Sequence, residues 1–188
     1  WIILVIDDVQ NVLDVTCNVL KHVQFNGKGV HLECARSAQE AKQLYLRYPD
    51  PAIVLVDCVM ERNTAGLDFI EFIRAEQNNQ CAQIVLRTGQ PGIAPEQQVI
   101  EAHQINDYLA KTELSSRKLK NKVITYLRNY ETLKVISAQY KQSQQSACTK
   151  DDYALAGSIA HEIRSPLAQI NLNLKKIRKA LPKLALSE

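Results

Sequence analysis

Short apolar runs alternate with amphipathic segments along most of the chain, and this alternation restricts the possible folds more than any other feature. Each run has the length of a β-strand, and each segment between runs shows the period of an α-helix. The pattern predicts repeated β-α units, and therefore an α/β fold with a doubly wound parallel sheet covered by helices on both faces. The predicted strands are Ile2–Ile6, Val30–Cys34, Ile53–Val56, Ile84–Leu86 and Tyr108–Leu109.

The segments between the strands carry recognisable helix boundaries. Ser37 is followed three residues later by Glu40, which is the pattern of a capping box, and Pro95 suits the first turn of a helix. The predicted helices are residues 11–23, 37–47, 66–76 and 95–102, with a fifth that starts near residue 115.

Composition and charge exclude several classes of protein. The chain is 46% hydrophobic, and its longest apolar runs are far shorter than the roughly 18 residues that a membrane span needs. The five cysteines form no CxxC pair and no zinc pattern, which favours a reduced, cytoplasmic compartment. The net charge of +3 combines an acidic part up to Glu113 with a basic remainder. The basic charges lack interleaved aromatic residues at a base-reading spacing, so we do not expect nucleic-acid binding.

Strand patterns stop after Leu119, where apolar residues recur at alternating intervals of four and three. This spacing is typical of a coiled-coil helix and predicts a parallel dimer, although for residues 119–127 we favour packing on the sheet. The recurring positions are Leu119, Val123, Tyr126, Tyr130, Leu133 and Tyr140, with Ser137 keeping the phase. A polar joint at 141–150 precedes a second amphipathic helix, which is predicted from Asp151 to about Ala180.

Polar residues stand at the predicted carboxyl ends of the strands, where doubly wound sheets bind their ligands. Asp7 and Asp8 follow the first strand, Asp57 ends the third, Thr88 ends the fourth, and Lys111 follows the fifth. Each residue alone has a structural explanation, such as a helix cap, a turn or a surface charge, but the five in this order favour a reactive pocket. Because three carboxylates repel one another in a poorly solvated crevice, they predict a hard divalent ion such as Mg²⁺.

The same pocket is suited to phosphorylation of an aspartate. Asp57 provides a carboxylate nucleophile, and Lys111 and the metal ion neutralise the incoming phosphoryl oxygens. The Thr88 hydroxyl can donate a hydrogen bond to one of those oxygens.

Residues 1–127 resemble a response-regulator receiver domain. The motifs that carry the resemblance are ILVIDD at 3–8, IVLVD at 53–57, LRTG at 86–89 and DYLAK at 107–111. It implies a flavodoxin-like five-stranded fold with Asp57 as the phosphoacceptor. Asp8 and Asp57 would bind the metal ion directly and Asp7 mainly through water.

The resemblance implies further roles in the same pocket. The backbone carbonyl of Val59 would complete the protein ligands of the metal ion. Thr88 and Tyr108 match the hydroxyl and aromatic pair whose coupled movement reports phosphorylation. The sequence departs from the family at Thr112, where proline is common after the lysine, so the Lys111 loop is expected to be built differently.

A second resemblance lies in the helix that begins at Asp151. His161 stands off the apolar face beside Glu162, which can accept its proton, and Pro166 opens the helix backbone nearby. The stretch 158–167 resembles the H-box of the dimerisation and phosphoacceptor domain of histidine kinases. The resemblance implies that His161 is autophosphorylated with Glu162 as the base. Arg164 and Ser165 complete the H-box, and Ser165 occupies a position where the family usually has Thr or Asn.

The sequence therefore predicts a receiver domain at 1–127, a helical linker at 128–150, and the first part of a kinase dimerisation domain at 151–188. No glycine-rich ATP-binding segment is present, so we expect a piece of a hybrid histidine kinase that uses ATP only at full length. These residues alone should not autophosphorylate. The expected partners are a second copy, bound through the linker and phosphoacceptor helices, and a phosphodonor histidine kinase or phosphotransfer protein. The alternative is a non-catalytic dimerisation or protein-binding scaffold.

Overall fold

The computed structural model describes residues 1–62, 64–89, 103–111 and 115–143. The predicted helix at 95–102, Thr112 and the H-box lie outside these residues. The chain divides into two compact units, Trp1–Ile136 and Ser137–Glu188. In the second unit residues 137–143 are described, and they are helical. Within the described ranges, no helix combines the length and the apolar character that crossing a membrane requires.

A parallel five-stranded sheet forms the centre of the first unit and confirms the predicted α/β fold. Its strands are β1 (Ile2–Ile6), β2 (His31–Ala35), β3 (Ile53–Asp57), β4 (Gln83–Thr88) and β5 (Asp107–Ala110). Their order in the sheet is β2-β1-β3-β4-β5. The order reverses between β1 and β3, so the carboxyl ends of these two strands flank the crevice in which doubly wound sheets bind ligands.

Helices cover both faces of this sheet. They are α1 (Gln10–Leu20), α2 (Ala38–Arg47), α3 (Ala65–Glu71) and α4 (116–136), and a π-helical turn, Phe72–Glu76, continues α3. The predicted cap of α2 is confirmed, because Ser37 Oγ accepts a hydrogen bond from the Glu40 amide at 3.2 Å. The Glu40 carboxylate returns to the amide of Arg36, at 2.8 Å, instead of the amide of Ser37.

Two apolar cores lie on opposite faces of the sheet. Residues of α2 and α3 pack on one face, and residues of α1 and α4 pack on the other. The α4 residues buried in the second core are Leu119, Val123, Tyr126, Leu127 and Tyr130. This confirms that the early positions of the apolar repeat pack on the sheet. Leu133, the next position of that repeat, is exposed.

A short antiparallel hairpin between α1 and β2 was missed by the sequence analysis. It pairs Gln24–Phe25 with Lys28–Gly29. Asn26 and Gly27 form its turn, with φ values of 50° and 72°. Asn-Gly is the preferred dipeptide for such a two-residue turn, so the signal was present in the sequence.

Candidate functional site

On four strands of the sheet, the row of side chains that face one core ends in a charged residue at the carboxyl end of the strand. Side chains alternate between the two faces of a strand, so every second residue faces the same core. On the face beneath α1 and α4, the last positions are Asp7 after β1, Asp57 on β3, Arg87 on β4 and Lys111 after β5. The apolar residues that precede them on this face are Ile3, Val5, Ile53, Leu55, Val85 and Leu109. This core therefore ends in two acids and two bases, which we call the charged quartet.

One ammonium group bridges the two acids of the quartet. Lys111 Nζ lies 2.7 Å from Asp57 Oδ2 and 2.8 Å from Asp7 Oδ2. Asp7 is 1% exposed and Asp57 is 5% exposed. The backbone amide of Val9 donates a hydrogen bond to Asp7 Oδ1 at 3.2 Å, and the backbone of Val59 hydrogen-bonds to the Asp57 carboxylate. The structure thus brings together the carboxylates and the lysine that the sequence analysis selected.

The surroundings raise the pKa of both Asp57 and Lys111. Burial raises the pKa of Asp57 and outweighs the opposing effect of the Lys111 hydrogen bond, and the nearby Asp7 charge raises it further. Burial by itself would lower the pKa of Lys111, but its hydrogen bonds to Asp57 and Asp7 outweigh burial and raise that pKa. Lys111 is therefore charged at neutral pH, and the Asp57 carboxylate is less stable than it would be in water.

The acidic side of the pocket fits a hard cation. Asp7, Asp8 and Asp57 can each offer a carboxylate oxygen, and these three oxygens lie within 4.8 Å of one another. Asp8 is exposed while the other two are buried, so an ion held there would remain open to water on one side. Such a set of oxygen ligands with an open side suits Mg²⁺, which binds few carboxylates and keeps several waters.

The predicted switch residues lie on one face of the sheet. Thr88 ends β4 and is 3% exposed. Tyr108 is partly buried and packs on the core beneath α2 and α3. Leu86 is the β4 partner of Tyr108, so Thr88 stands two residues further along the strand and faces the same side.

Arg87 is a residue of the site that the sequence analysis did not single out. It is 6% exposed, and its Nη1 donates a hydrogen bond to Thr16 Oγ1 of α1 at 2.9 Å. Its Nε is buried and has no hydrogen-bond partner among the described residues. The sequence did contain a signal, because Arg87 follows Val85 by two positions in a strand and therefore occupies a core-facing position.

Gly66 brings the first turn of α3 against the backbone of the phosphoacceptor candidate. A Cβ atom at Gly66 would lie 2.0 Å from the carbonyl oxygen of Asp57 and 3.1 Å from that of Cys58. Real Cβ atoms essentially never make a contact of 2.0 Å, so a side chain at this position would force the backbone to shift and only glycine allows this approach. The position of α3 is thereby tied to the end of β3.

Comparison with known proteins gives one curated relative. No protein-family model matches the chain. The chain is 39% identical over 139 residues to 3'3'-cGAMP-specific phosphodiesterase 2 of Vibrio cholerae, and the match covers 74% of the chain. It spans only 27% of the length of that relative.

Solved structures resemble the chain over most of its length. A response regulator receiver domain protein from Clostridium thermocellum is 19% identical with a TM-score of 0.59, covering 70% of this chain and 98% of that one. An adenylate cyclase structure from Rhodopirellula baltica is 17% identical with a TM-score of 0.63, covering 74% and 96%. The chain therefore has the flavodoxin-like fold of response-regulator receiver domains.

Proposed function

We propose that this chain is a receiver of two-component signalling that accepts a phosphoryl group on Asp57. The observation that carries the proposal is the buried Asp57 carboxylate at the carboxyl edge of a receiver-type sheet, held by Lys111 and flanked by two further acids. The similarity to receiver domains supports the same conclusion.

In the proposed reaction a carboxylate oxygen of Asp57 forms the new bond to phosphorus. The bond between phosphorus and the donor breaks, and the donor leaves with the electron pair. Lys111 keeps its proton and turns from the Asp57 carboxylate to a phosphoryl oxygen, to which the Thr88 hydroxyl also donates. Mg²⁺, held by Asp8 and Asp57 with Asp7 acting through water and with the Val59 carbonyl, would neutralise charge on the phosphoryl oxygens.

The proposed output of phosphorylation starts at Thr88. When its hydroxyl turns toward the phosphoryl group, Tyr108 on the same face of the sheet moves into the space that it leaves. Such coupled movement converts a local change of charge into a changed surface. Tyr108 neighbours Asp107, whose carboxylate contacts α4, so α4 is the element that we expect to respond.

A finer proposal concerns the segment after the receiver. The H-box resemblance supports an attached histidine-kinase core, in which His161 is phosphorylated from ATP with Glu162 as the base. The kinase role rests on this motif alone. In the first part of the linker helix, the exposed apolar residues Leu133, Val135 and Ile136 support a homodimer through that helix.

The relative from Vibrio cholerae favours a second candidate function. That protein is by name a phosphodiesterase, and it shares 39% identity with the present chain over 139 residues. The receiver would in that case control an attached enzyme domain that acts on a cyclic dinucleotide. The phosphoacceptor chemistry of Asp57 is the same in both candidates.

Acetyl phosphate with Mg²⁺ tests the proposed function directly. We expect the chain to gain one phosphoryl group by intact mass, in a linkage that hydroxylamine cleaves because it is an acyl phosphate. Asp57→Asn should abolish the gain, whereas Asp14→Asn, an exposed carboxylate on α1, should leave it unchanged. Equal labelling of the wild type and Asp57→Asn would refute the assignment.

The kinase and phosphodiesterase candidates differ at His161. A histidine-kinase ATP-binding domain supplied in trans, with labelled ATP, should phosphorylate His161 if the H-box is functional. The label should survive alkali, which removes an acyl phosphate, should be lost in acid, and should disappear in His161→Gln. Absence of label in the wild type would remove the kinase role without affecting the proposed phosphorylation of Asp57, as the second candidate predicts.

A further inference from the structure

Arg87 lies beside the phosphoacceptor candidate through the register of the sheet. Asp57 on β3 and Arg87 on β4 are paired residues of neighbouring parallel strands. Neighbouring strands are about 4.8 Å apart, and paired residues direct their side chains to the same face. The guanidinium group therefore belongs to the same buried layer as the two acids of the charged quartet.

Among the residues that the structure describes, Asp7 and Asp57 are the acids whose charges act on Arg87. Its side chain lines a cleft of about 280 Å³ between α1 and α4. The polar residues that line this cleft with Arg87 are Asn11, Thr16, Ser116 and Lys111, and none of them is acidic. Burial lowers the pKa of Arg87, and the negative charges that oppose this effect are Asp7 and Asp57. A guanidinium group nevertheless stays protonated in proteins.

We propose that Arg87 is a built-in counter-charge of the carboxylate pocket, which stabilises the paired acids without a divalent ion and lowers the affinity of the pocket for Mg²⁺. This inference rests on the proposed function, since it concerns the same pocket. With Lys111, Arg87 supplies two positive charges against the three carboxylates Asp7, Asp8 and Asp57. A divalent ion entering the pocket meets the repulsion of both bases.

The hydrogen bonding of Arg87 fits a role set by charge. Of its five N–H donors, one meets Thr16 Oγ1, and the buried Nε has no partner in the described part of the chain. A buried cation with few hydrogen bonds to the described residues is costly unless opposite charges lie near it. Arg87 thus acts on the pocket as a positioning residue, through its field on Asp7 and Asp57.

Calorimetric titration of Mg²⁺ into the metal-free chain tests the proposal. Arg87→Met should bind Mg²⁺ about fivefold more tightly than the wild type, because one repelling charge is removed from the buried layer that holds Asp7 and Asp57. Arg87→Lys keeps the charge and should restore the wild-type affinity. Arg47→Met is the matched control, since it removes an exposed charge from α2 on the other face of the sheet.

A second measurement covers the case in which Arg87→Met is unstable without metal. Removing one acid should then relieve the uncompensated repulsion, so Asp57→Asn in the same chain should raise its melting temperature. Failure of that rescue would overturn the proposal. Equal Mg²⁺ affinities of the wild type and a folded Arg87→Met would also overturn the proposal. If acetyl phosphate still labels Asp57 in that case, the proposed function is unaffected. If neither protein binds Mg²⁺ and Asp57 takes no label, the proposed function fails as well.

Discussion

Two buried arginines stand at opposite edges of the sheet, and their surroundings differ. Arg74, from the π-helical turn, is 9% exposed and lies at the amino ends of β4 and β5. Its guanidinium group donates to the carbonyl oxygens of Asn79, Ala82 and Gln104 and to Asn106 Oδ1, at 2.6 to 3.2 Å. Arg87, at the carboxyl edge, is 6% exposed and has one such bond within the described ranges, to Thr16.

The difference indicates that Arg74 has a structural role, whereas Arg87 interacts mainly with the charges of nearby acids. Arg74 satisfies neutral backbone groups that would otherwise be buried without partners, so its environment is complete. The Asn106 side chain extends this network by accepting from the Ile84 amide at 2.8 Å. Arg87 faces acids with few directional bonds, so its environment can change when a ligand neutralises those acids. We therefore expect the amino edge of the sheet to keep its structure and the carboxyl edge to change when a ligand binds.

The largest expected effect is at the amino edge. Arg74→Met should lower the free energy of unfolding by about 3 kcal/mol, since it leaves several buried carbonyl groups without donors. Urea unfolding followed by circular dichroism measures the loss. The folded fraction should still accept phosphate on Asp57. Arg47→Met is the control, and a loss below that of Arg47→Met would show that the Arg74 network is dispensable.

The next effect also lies near the amino end of β5, where Tyr126 donates a hydrogen bond to the Asp107 carboxylate. Tyr126→Phe should cost about 1.5 kcal/mol at neutral pH, as expected for a bond to a charged acceptor. Tyr140→Phe, on a side chain that is 64% exposed, should cost about 0.5 kcal/mol or less, as substitutions at the surface usually do. A neutral-pH cost for Tyr126→Phe as small as that control would contradict the prediction.

The same bond predicts how stability depends on alkaline pH. Burial, together with the bond to Asp107, raises the pKa of Tyr126 above the unfolded value of about 10. The stability that the protonated hydroxyl contributes is therefore complete below about pH 10 and is lost as pH rises through the folded pKa. Thermal melts between neutral pH and pH 11 should show a steeper decline for the wild type than for Tyr126→Phe. Parallel curves would exclude this linkage.

The smallest expected effect is at the carboxyl edge. Thr16→Val keeps the shape of the side chain and removes the acceptor of Arg87, for a cost of about 1 kcal/mol. Water from the neighbouring cleft can reach the freed donor, which keeps the cost low. Denaturant unfolding should place Thr16→Val well above Arg74→Met in stability. A cost as large as that of Arg74→Met would remove the distinction between the two edges.

The fold and the acids of the site were predictable because their signals are local. The β3 strand is an apolar run that ends abruptly at Asp57, and the run shows both the strand and the polar residue at its end. Asp7 and Asp8 follow β1 in the same way. Alternation with helical segments then implies a parallel sheet, whose carboxyl ends meet at one edge.

The part played by Arg87 was not predictable in this way, because it depends on which residues pair across strands. In the sequence Arg87 is a charge within an apolar strand, and only the register places it beside Asp57. Its bond to Thr16 depends in turn on the rotation of α1. The π-helical turn Phe72–Glu76, which carries Arg74, likewise lacks a local signal, whereas Asn26 and Gly27 had one that was overlooked.

Gly66 carries a consequence for how this protein tolerates mutation. Even alanine at this position would place an atom 2.0 Å from the Asp57 carbonyl oxygen, so either α3 or the end of β3 must move. In a mutational scan scored by signalling output, Gly66 should therefore rank with the phosphoacceptor pocket, although it contributes no functional group. Selection for activity at this edge therefore excludes a Cβ atom at position 66 as strictly as it requires the carboxylates of the pocket.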